Sequence, residues 1–402
     1  MAIAVAFGGG IYAGVSEKQH NLAAAADTNG VTVTINGIPG AGVDMTQFWA
    51  AYKLLNENFV VTHASSSFPS TQKQIYGAIQ GLTASFGDPY TSFFPPADAQ
   101  IFQEDINGSF GGVGMQIDNN AEGALVVVSP LKDTPAARAG IHSGDVLLKI
   151  GTTTTDGLSV EDAVKIIRGP KGSTIELTIA RAGESKPLVI PVVRDTINIP
   201  TIKSYKRDDG VFVIELYSFS QNSADLFRDA LRQFVQSGSS KLLFDLRGNP
   251  GGYLDSAVAM ASYFLPVGDV IVTEDFKGKQ ENQSHRSVGY NVFQGNPNFK
   301  MAILVDQGSA SASEILAGAL SQHGVAKLVG TRTFGKGSVQ QLMDLGNGAE
   351  LKITIARWLT PNGSSISDGG LQADIKADRT AADVKAGKDP QTDAAVKYLL
   401  GK

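Results

Sequence analysis

Residues 301–336 read MAILVDQGSASASEILAGALSQHGVAKLVGTRTFGK. Met301 to Val305 is a continuous apolar run, as expected of a strand buried on both faces. Ser311 to His323 reads as a helix and Val325 to Val329 as a second buried strand. A strand, a helix and a strand in this order predict a parallel pair joined by a right-handed crossover.

The same alternation precedes this stretch. Val211 to Leu216 predicts a strand, and Ala224 to Val235 a helix with Leu226, Phe227, Ala230, Leu231 and Phe234 inward. Lys241 to Leu246 predicts another buried strand and Tyr253 to Leu265 another helix. The fold class is therefore α/β, with a mostly parallel sheet covered by helices over 196–375. Residues 338–345 and 349–358 flank Gly346-Asn347-Gly348, a hairpin signal. The tail, 376–402, reads as helical. Between about 106 and 195, short strands and two short helices predict an inserted β-rich module. Upstream, 45–105 reads as a small helical module, with Phe48, Ala51, Tyr52, Leu54 and Leu55 and then Ile75, Ala78, Ile79, Leu82 and Phe86 at helical spacing, ending in an aromatic stretch at Tyr90 to Phe94. Residues 1–44 are an apolar N-terminal segment and a linker. Residues 1–15 carry no charge and fall short of the ~20 needed to span a bilayer. They read either as the end of a signal-anchor or as an apolar tail.

Composition narrows the chemistry. The chain has 402 residues, enough for two to four domains at roughly 100–200 residues each. Net charge is −5 and no long basic run stands out, which argues against a nucleic-acid partner. There is no Cys, so thiol nucleophiles and Cys zinc sites are excluded. The five His form no H-E-x-x-H pair, so no metal and no cofactor are expected.

Ligands of open α/β sheets bind at the carboxyl ends of the strands. Two such ends carry informative loops, 247–252 (RGNPGG) and 306–314 (DQGSASASE). Each leads into a helix N-terminus, where free N–H groups favour negative charge. Ser311 with Glu314 fits a capping box, which by itself only starts a helix. A Lys changes the weighing. The helix carries the chain about 20 Å away, and the return over 326–332 brings it about 23 Å back. Lys336, between two glycines, thus returns to the level of Ser311. Ser with Lys is a nucleophile–base arrangement that requires a neutral amine, and burial among Phe334, Ile315 and Leu316 would favour it. Gln340 begins the next strand, where it is expected to hold the amine. His323, at the far end of the helix, is too distant to act as base; His285, in a polar stretch, is the rival.

These motifs resemble the carboxyl-terminal processing proteases, a Ser/Lys peptidase family with an embedded PDZ domain. The resemblance is carried by Asp88-Pro-Tyr-Thr-Ser-Phe-Phe94, Phe110-Gly-Gly-Val-Gly114, Ser129-Pro-Leu131, Ala139-Gly140 with Gly144-Asp145, and Ile167-Arg-Gly169. It continues through Asp245 to Ser256, Gly308 to Leu320 and Thr333 to Gln340, and spans about residues 45 to 375. It implies Ser311 as nucleophile, Lys336 as base and Gln340 as its support. N–H groups of Ala312, Gly251 and Gly252 would form the oxyanion hole. Gly248 stands where the family more often has Asn, which predicts a more mobile loop. The module at 106–195 becomes a PDZ domain, with Gly112, Val113, Gly114 and Met115 as carboxylate loop. Ile117, Val164 and Ile167 would line its side-chain pocket. Arg168 would couple PDZ and protease domains, or sit solvated at a helix end.

The expected function is a serine endopeptidase cutting near the C-terminus of protein substrates with a free, apolar tail. An extracytoplasmic place, periplasmic, envelope-bound or secreted, goes with it; a membrane anchor and self-association stay open. The rival classes are a catalytically silent PDZ scaffold, in which Ser311, Lys336 or Gln340 should be lost, and a small-molecule or lipid binder on the same fold.

Overall fold

The computed structural model describes residues 11–12, 44–62, 68–120, 122–131, 133–198, 200–367 and 369–402. Apart from 11–12, the apolar segment 1–43 lies outside the described residues. Residues 13–85 form one unit and the remainder another. In the smaller unit, helices Thr46–Asn58 and Thr71–Ala84 line an apolar groove with Phe48, Trp49, Leu55, Ile75 and Ile79. Asn56 and Gln74 exchange amide hydrogen bonds between these two helices. Among the described residues no helix is long and apolar enough to cross a membrane.

The larger unit is built on the sheet that the sequence predicts. Its strand order is Ile202–Lys206, Phe212–Leu216, Lys241–Asp245, Lys300–Val305, Ala326–Gly330, Ile375–Lys376. The first pair is antiparallel and every later pair parallel. Strand alternation divides the core. Leu242, Phe244, Met301 and Ile303 pack with Phe227, Phe234, Met260 and Leu316 from helices Ser223–Gln236, Leu254–Ser262 and Ala312–Gln322. Leu243, Ala302 and Leu304 pack on the opposite face with Ala395 and Leu399 of helix Pro390–Leu400. Each fully buried Leu, Ile, Phe or Met among them is worth about 1.5–3 kcal/mol. Leu226, expected to face inward, is 38% exposed; the buried stripe runs through Phe227, Ala230, Leu231 and Phe234, and Leu226 stands just off it.

Register sets the site. Met301 lies opposite Ala326 and Val305 opposite Gly330. The chain after the return strand therefore resumes beside the loop that follows Val305, and the Thr331 N–H donates to the Val305 carbonyl at 3.1 Å. Gly330 has φ 128°, and a Cβ there would lie 2.2 Å from that carbonyl oxygen, so only glycine fits. The hairpin forms as Ser338–Asp344 with Glu350–Leu359, part of a second, largely antiparallel sheet.

Residues 86–105, expected with the N-terminal helices, belong to the larger unit. Ser92–Phe94 pairs with Glu350–Lys352. Pro96–Asn107 forms a helix that starts on a proline and stops at Gly108 in left-handed conformation. The β-rich insertion follows. Strands Met115–Asn119, Leu125–Pro130, Val146–Ile150, Thr174–Ala180 and Leu188–Val193 form an antiparallel sheet, with helices Pro135–Arg138 and Val160–Ile167. Its entry and exit, Ser109–Gly112 and Asp195–Asn198, pair antiparallel with each other.

Candidate active site

Both predicted loops sit at the carboxyl ends of adjacent strands. Their contact is direct: the Ala310 N–H donates to the Asn249 carbonyl at 3.0 Å, and Gly248 N–H to Asp306 Oδ1 at 2.8 Å. Gly248, where a looser loop was expected, is thereby tied down. Ser309 and Ser313 also serve this junction. Ser309 Oγ donates to the Leu246 carbonyl at 2.8 Å and Ser313 Oγ to the Asn249 carbonyl at 2.9 Å.

Ser311, between them, differs. It is buried, caps helix Ala312–Gln322, and holds φ 54° and ψ −114°. A non-glycine residue pays about 1–3 kcal/mol for such a backbone. The surroundings enforce it. Glu314, also buried, completes a capping box, taking the Ser311 N–H on Oε2 at 2.9 Å. The same Oε2 accepts the Lys336 N–H at 2.9 Å. Oε1 accepts Thr333 Oγ1 at 2.6 Å and the Gly335 N–H at 2.7 Å. One carboxylate therefore fastens the loop of Lys336 to the start of the Ser311 helix. The Phe334 N–H adds a bond to the Ser309 carbonyl at 3.0 Å. Burial pushes the Glu314 carboxyl up, against the pull of these hydrogen bonds. An acid at the start of an apolar helix is a visible sign of this residue, but the capping box accounts for it without reference to Lys336.

Lys336 is 2% exposed. Among the described residues its Nζ has no hydrogen-bond partner, and it lies 4.7 Å from the centre of the Tyr90 ring. Burial, with help from the nearby Lys352 charge, pushes the amine down to about 7, against Asp88 and Glu314. Phe334, expected to wall in the amine, is 55% exposed; the aromatic at the amine is Tyr90 instead. Lys352 is a second buried lysine, held down by burial, with Nζ 5.3 Å from the Phe94 ring and 5.2 Å from the Phe102 ring. Gln340 is fully buried, and its amide nitrogen donates to Ser338 Oγ at 2.7 Å and Thr354 Oγ1 at 3.2 Å. The expected bond to the Lys336 amine is not made, and Gln340 Oε1 has no hydrogen-bond partner among the described residues.

Gly251, at φ 103°, lies against Ser311: a Cβ there would be 2.9 Å from Ser311 Cβ and 3.0 Å from the Ala312 nitrogen. Its own N–H donates to Asn249 Oδ1 at 2.9 Å. Gly251 thus shapes the turn, and its N–H is spent, contrary to expectation. Both candidate histidines are engaged elsewhere. His285 Nε2 pairs with Glu274 Oε1 at 2.7 Å, and His323 Nε2 with the Val270 carbonyl at 2.8 Å.

In the insertion, Val113 and Ile167 lie in the core, and Met115 and Ile117 pack against it. Val164 is half-buried on the helix that lies against strand Met115–Asn119. That strand is at the edge of its sheet. Gly112 pairs with Asp195, and the Gly114 carbonyl accepts the Leu131 N–H at 2.9 Å and Thr134 Oγ1 at 2.8 Å. Arg168 is not solvated. Its side chain is 13% exposed, pairs with Asp105 of helix Pro96–Asn107 at 2.6 Å, and lies over Phe110 at 4.1 Å.

Comparison with known proteins places the fold and the family. Residues 210–377 match the family model of peptidase family S41, and residues 126–181 that of a PDZ domain. The chain is 34% identical over 306 residues to carboxy-terminal processing protease CtpA of Bacillus subtilis, covering 76% of this chain but only 64% of that protein. It is 34% identical over 367 residues to the carboxy-terminal-processing protease of Bartonella bacilliformis, covering 89% of this chain and 80% of the relative. A photosystem II D1 C-terminal processing protease shares the fold, with TM-score 0.52 at 24% identity over 88% of this chain and 90% of that one. With the PDZ module inserted ahead of the parallel sheet, and two strand-end loops meeting at Ser311, the chain belongs to peptidase family S41, among the carboxy-terminal processing proteases.

Proposed function

We propose that the chain is a serine endopeptidase that works through Ser311 and Lys336 and cuts protein substrates near their C-termini. The observation that carries this reading is the Lys336 amine, buried without a hydrogen-bond partner and pushed down to about 7, on a loop fastened by Glu314 to Ser311. A neutral amine is available there at neutral pH.

In this mechanism Lys336 Nζ takes the Ser311 hydroxyl proton as Oγ attacks the scissile carbonyl carbon. The carbonyl electrons move to oxygen, and the oxyanion is received by the N–H groups of Ala312 and Gly252. Collapse breaks the C–N bond, and the Lys336 ammonium gives its proton to the leaving amine. Water then attacks the acyl-enzyme with Lys336 again as base, releasing the acid and restoring Ser311. No metal enters any step.

The PDZ domain supplies the choice of substrate. Its open edge strand Met115–Asn119 is suited to take a peptide as an added strand. The loop Gly112 to Met115 would receive the terminal carboxylate. Ile117, Val164 and Ile167 would receive apolar side chains, since a charged one would be desolvated without a partner. Arg168, through Asp105, would pass the domain's position to the protease sheet. An extracytoplasmic place fits a protease acting on exposed tails.

The test uses the whole chain and one unfolded polypeptide with an apolar C-terminus, as free acid and as amide. Cleavage of the acid, unaffected by a metal chelator, with weaker capture of the amide, is expected. Equal capture of acid and amide would discard the carboxylate reading. Loss of cleavage on chelation, restored by zinc, would discard the Ser/Lys mechanism.

A further inference from the structure

The segment Asp88-Pro-Tyr-Thr91 starts a half-buried polar chain that runs to the fully buried Gln340 beside the base. Asp88 Oδ2 accepts Thr91 Oγ1 and Thr354 Oγ1, each at 2.6 Å. Thr354 Oγ1 in turn accepts the Gln340 amide nitrogen at 3.2 Å. The Thr354 N–H returns to Thr91 Oγ1 at 3.2 Å, which locks the segment to the hairpin strand. At the far end, among the described residues, Gln340 Oε1 is a buried acceptor without a hydrogen-bond partner and Lys336 Nζ a buried donor without one.

A carboxylate only accepts hydrogen bonds, so it sets the direction of everything behind it. Thr354 must give its one proton to Asp88. Its lone pair is then left to accept, and only the NH2 side of Gln340 can donate to it. That fixes the amide orientation and turns Oε1 away from Thr354. We propose that Asp88, acting through Thr354, is a positioning residue for the base: it holds the Gln340 amide so that Oε1 stays free, and the neutral Lys336 amine, which makes no bond to it in this structure, donates one N–H there during the reaction and keeps its lone pair for the Ser311 proton. The inference rests on the Ser/Lys reading and deepens it. Tyr90, from the same segment, walls the other side of the amine.

Asp88 is ionised at neutral pH. Burial works against the charge, but hydrogen bonds from Thr354, Thr91 and the Tyr90 N–H outweigh it and hold the carboxyl below its ordinary range. The charged and titratable groups facing Lys336 are Lys352, which favours the neutral amine, and Asp88 and Glu314, which favour the ammonium; Tyr90 lies against it. Asp88 therefore does two separable things, ordering the chain and raising the amine pKa.

The experiment measures kcat and KM against pH on an unfolded substrate for the full chain and four variants. Thr354→Val keeps the Asp88 charge and breaks the chain. It is expected to lower kcat at least about tenfold with KM little changed, and to leave the acid limb of the profile in place. Thr354→Ser restores the hydroxyl and should recover most of kcat. Asp88→Asn should lower kcat by a similar factor and also move the acid limb to lower pH, because a charge that favours the ammonium is gone. The limb reads the Asp88 charge, and the kcat loss in Thr354→Val at unchanged KM and unchanged limb reads the positioning, whereas a purely structural role would lower the melting temperature and raise KM as well. Full kcat in Thr354→Val, or a loss there that falls on KM and the melting temperature, overturns the proposal. Lys336→Ala is the fourth variant. If it is inactive while the Asp88 and Thr354 variants match the parent, only the positioning role fails. If it is active, the Ser/Lys reading itself fails.

Discussion

Ser311→Ala is expected to leave a folded chain whose proteolysis falls by at least about a thousandfold. Neither neighbour in the Ser309–Ser313 run can stand in. Both hydroxyls are committed to backbone carbonyls, Ser309 to Leu246 and Ser313 to Asn249, and both hold the loop rather than face a substrate. The cap that Ser311 supplies is worth about 1 kcal/mol. Glu314 still receives the backbone N–H at 311, so the junction with the Lys336 loop survives the change. The check is a progress curve on a purified variant beside its melting temperature. Cleavage at the parent rate in a folded sample, or an essential Ser309 or Ser313, would reassign the nucleophile.

Lys336 offers a pair of substitutions with opposite effects on activity and stability. Lys336→Arg places a guanidinium that does not deprotonate, so it is expected to be inactive, again by at least about a thousandfold. Lys336→Met is expected to be equally inactive and more stable than the parent at neutral pH. The sign follows from linkage. The unfolded chain holds the amine proton up to its ordinary value of 10.5, and the folded chain has released it above about 7. Between those values the unfolded state binds more protons, so the parent gains stability as pH rises. At and below about 7 the cost of burying this group is fully present, about 1.4 kcal/mol for each unit of depression. Removing the amine should therefore raise the melting temperature most at pH 7 and below, and the gain should vanish as pH approaches 10.5. A Met variant less stable than the parent at pH 7 would mean that the amine is not desolvated.

The sequence made the scaffold legible because its signals are local. Met301 to Val305 is a continuous apolar run and Leu242 to Phe244 a shorter one, and such runs are buried on both faces in parallel sheets. The return of Lys336 to Ser311 followed from counting residues along one helix and one strand, and the register of Val305 with Gly330 has the same effect. Phe334 and Leu226 were misplaced for a common reason. Apolar character says that a residue tends inward, not which side of a bend or stripe it occupies, and both lie on the outer side.

Partners distant in sequence were not legible. Asp88 reads as a turn residue, and it does hold the Tyr90 N–H at 3.2 Å. Nothing local says that its other oxygen meets Thr354 across the hairpin. Lys352 looks like an ordinary strand lysine, although it is buried against two phenylalanines. Helix Pro96–Asn107 carried sound signals, a starting proline, Asp98 in its first turn and Gly108 at its end. Its buried face consists of only Ala99, Phe102 and Ile106, so periodicity alone was weak there.

The pH dependence of acyl-enzyme formation tests the central claim most directly. A single-turnover rate on one unfolded substrate, taken from pH 5 to 10 on the unmodified chain (about the span over which a displaced lysine titrates), isolates the step in which Lys336 must be neutral. The account predicts a rate that climbs through a single ionisation at about 7 and then stays level, and that Lys352→Gln moves this limb to higher pH by removing a charge that favours the neutral amine. A rate that is flat across neutrality, or one that rises only near the ordinary lysine value of 10.5, would contradict it.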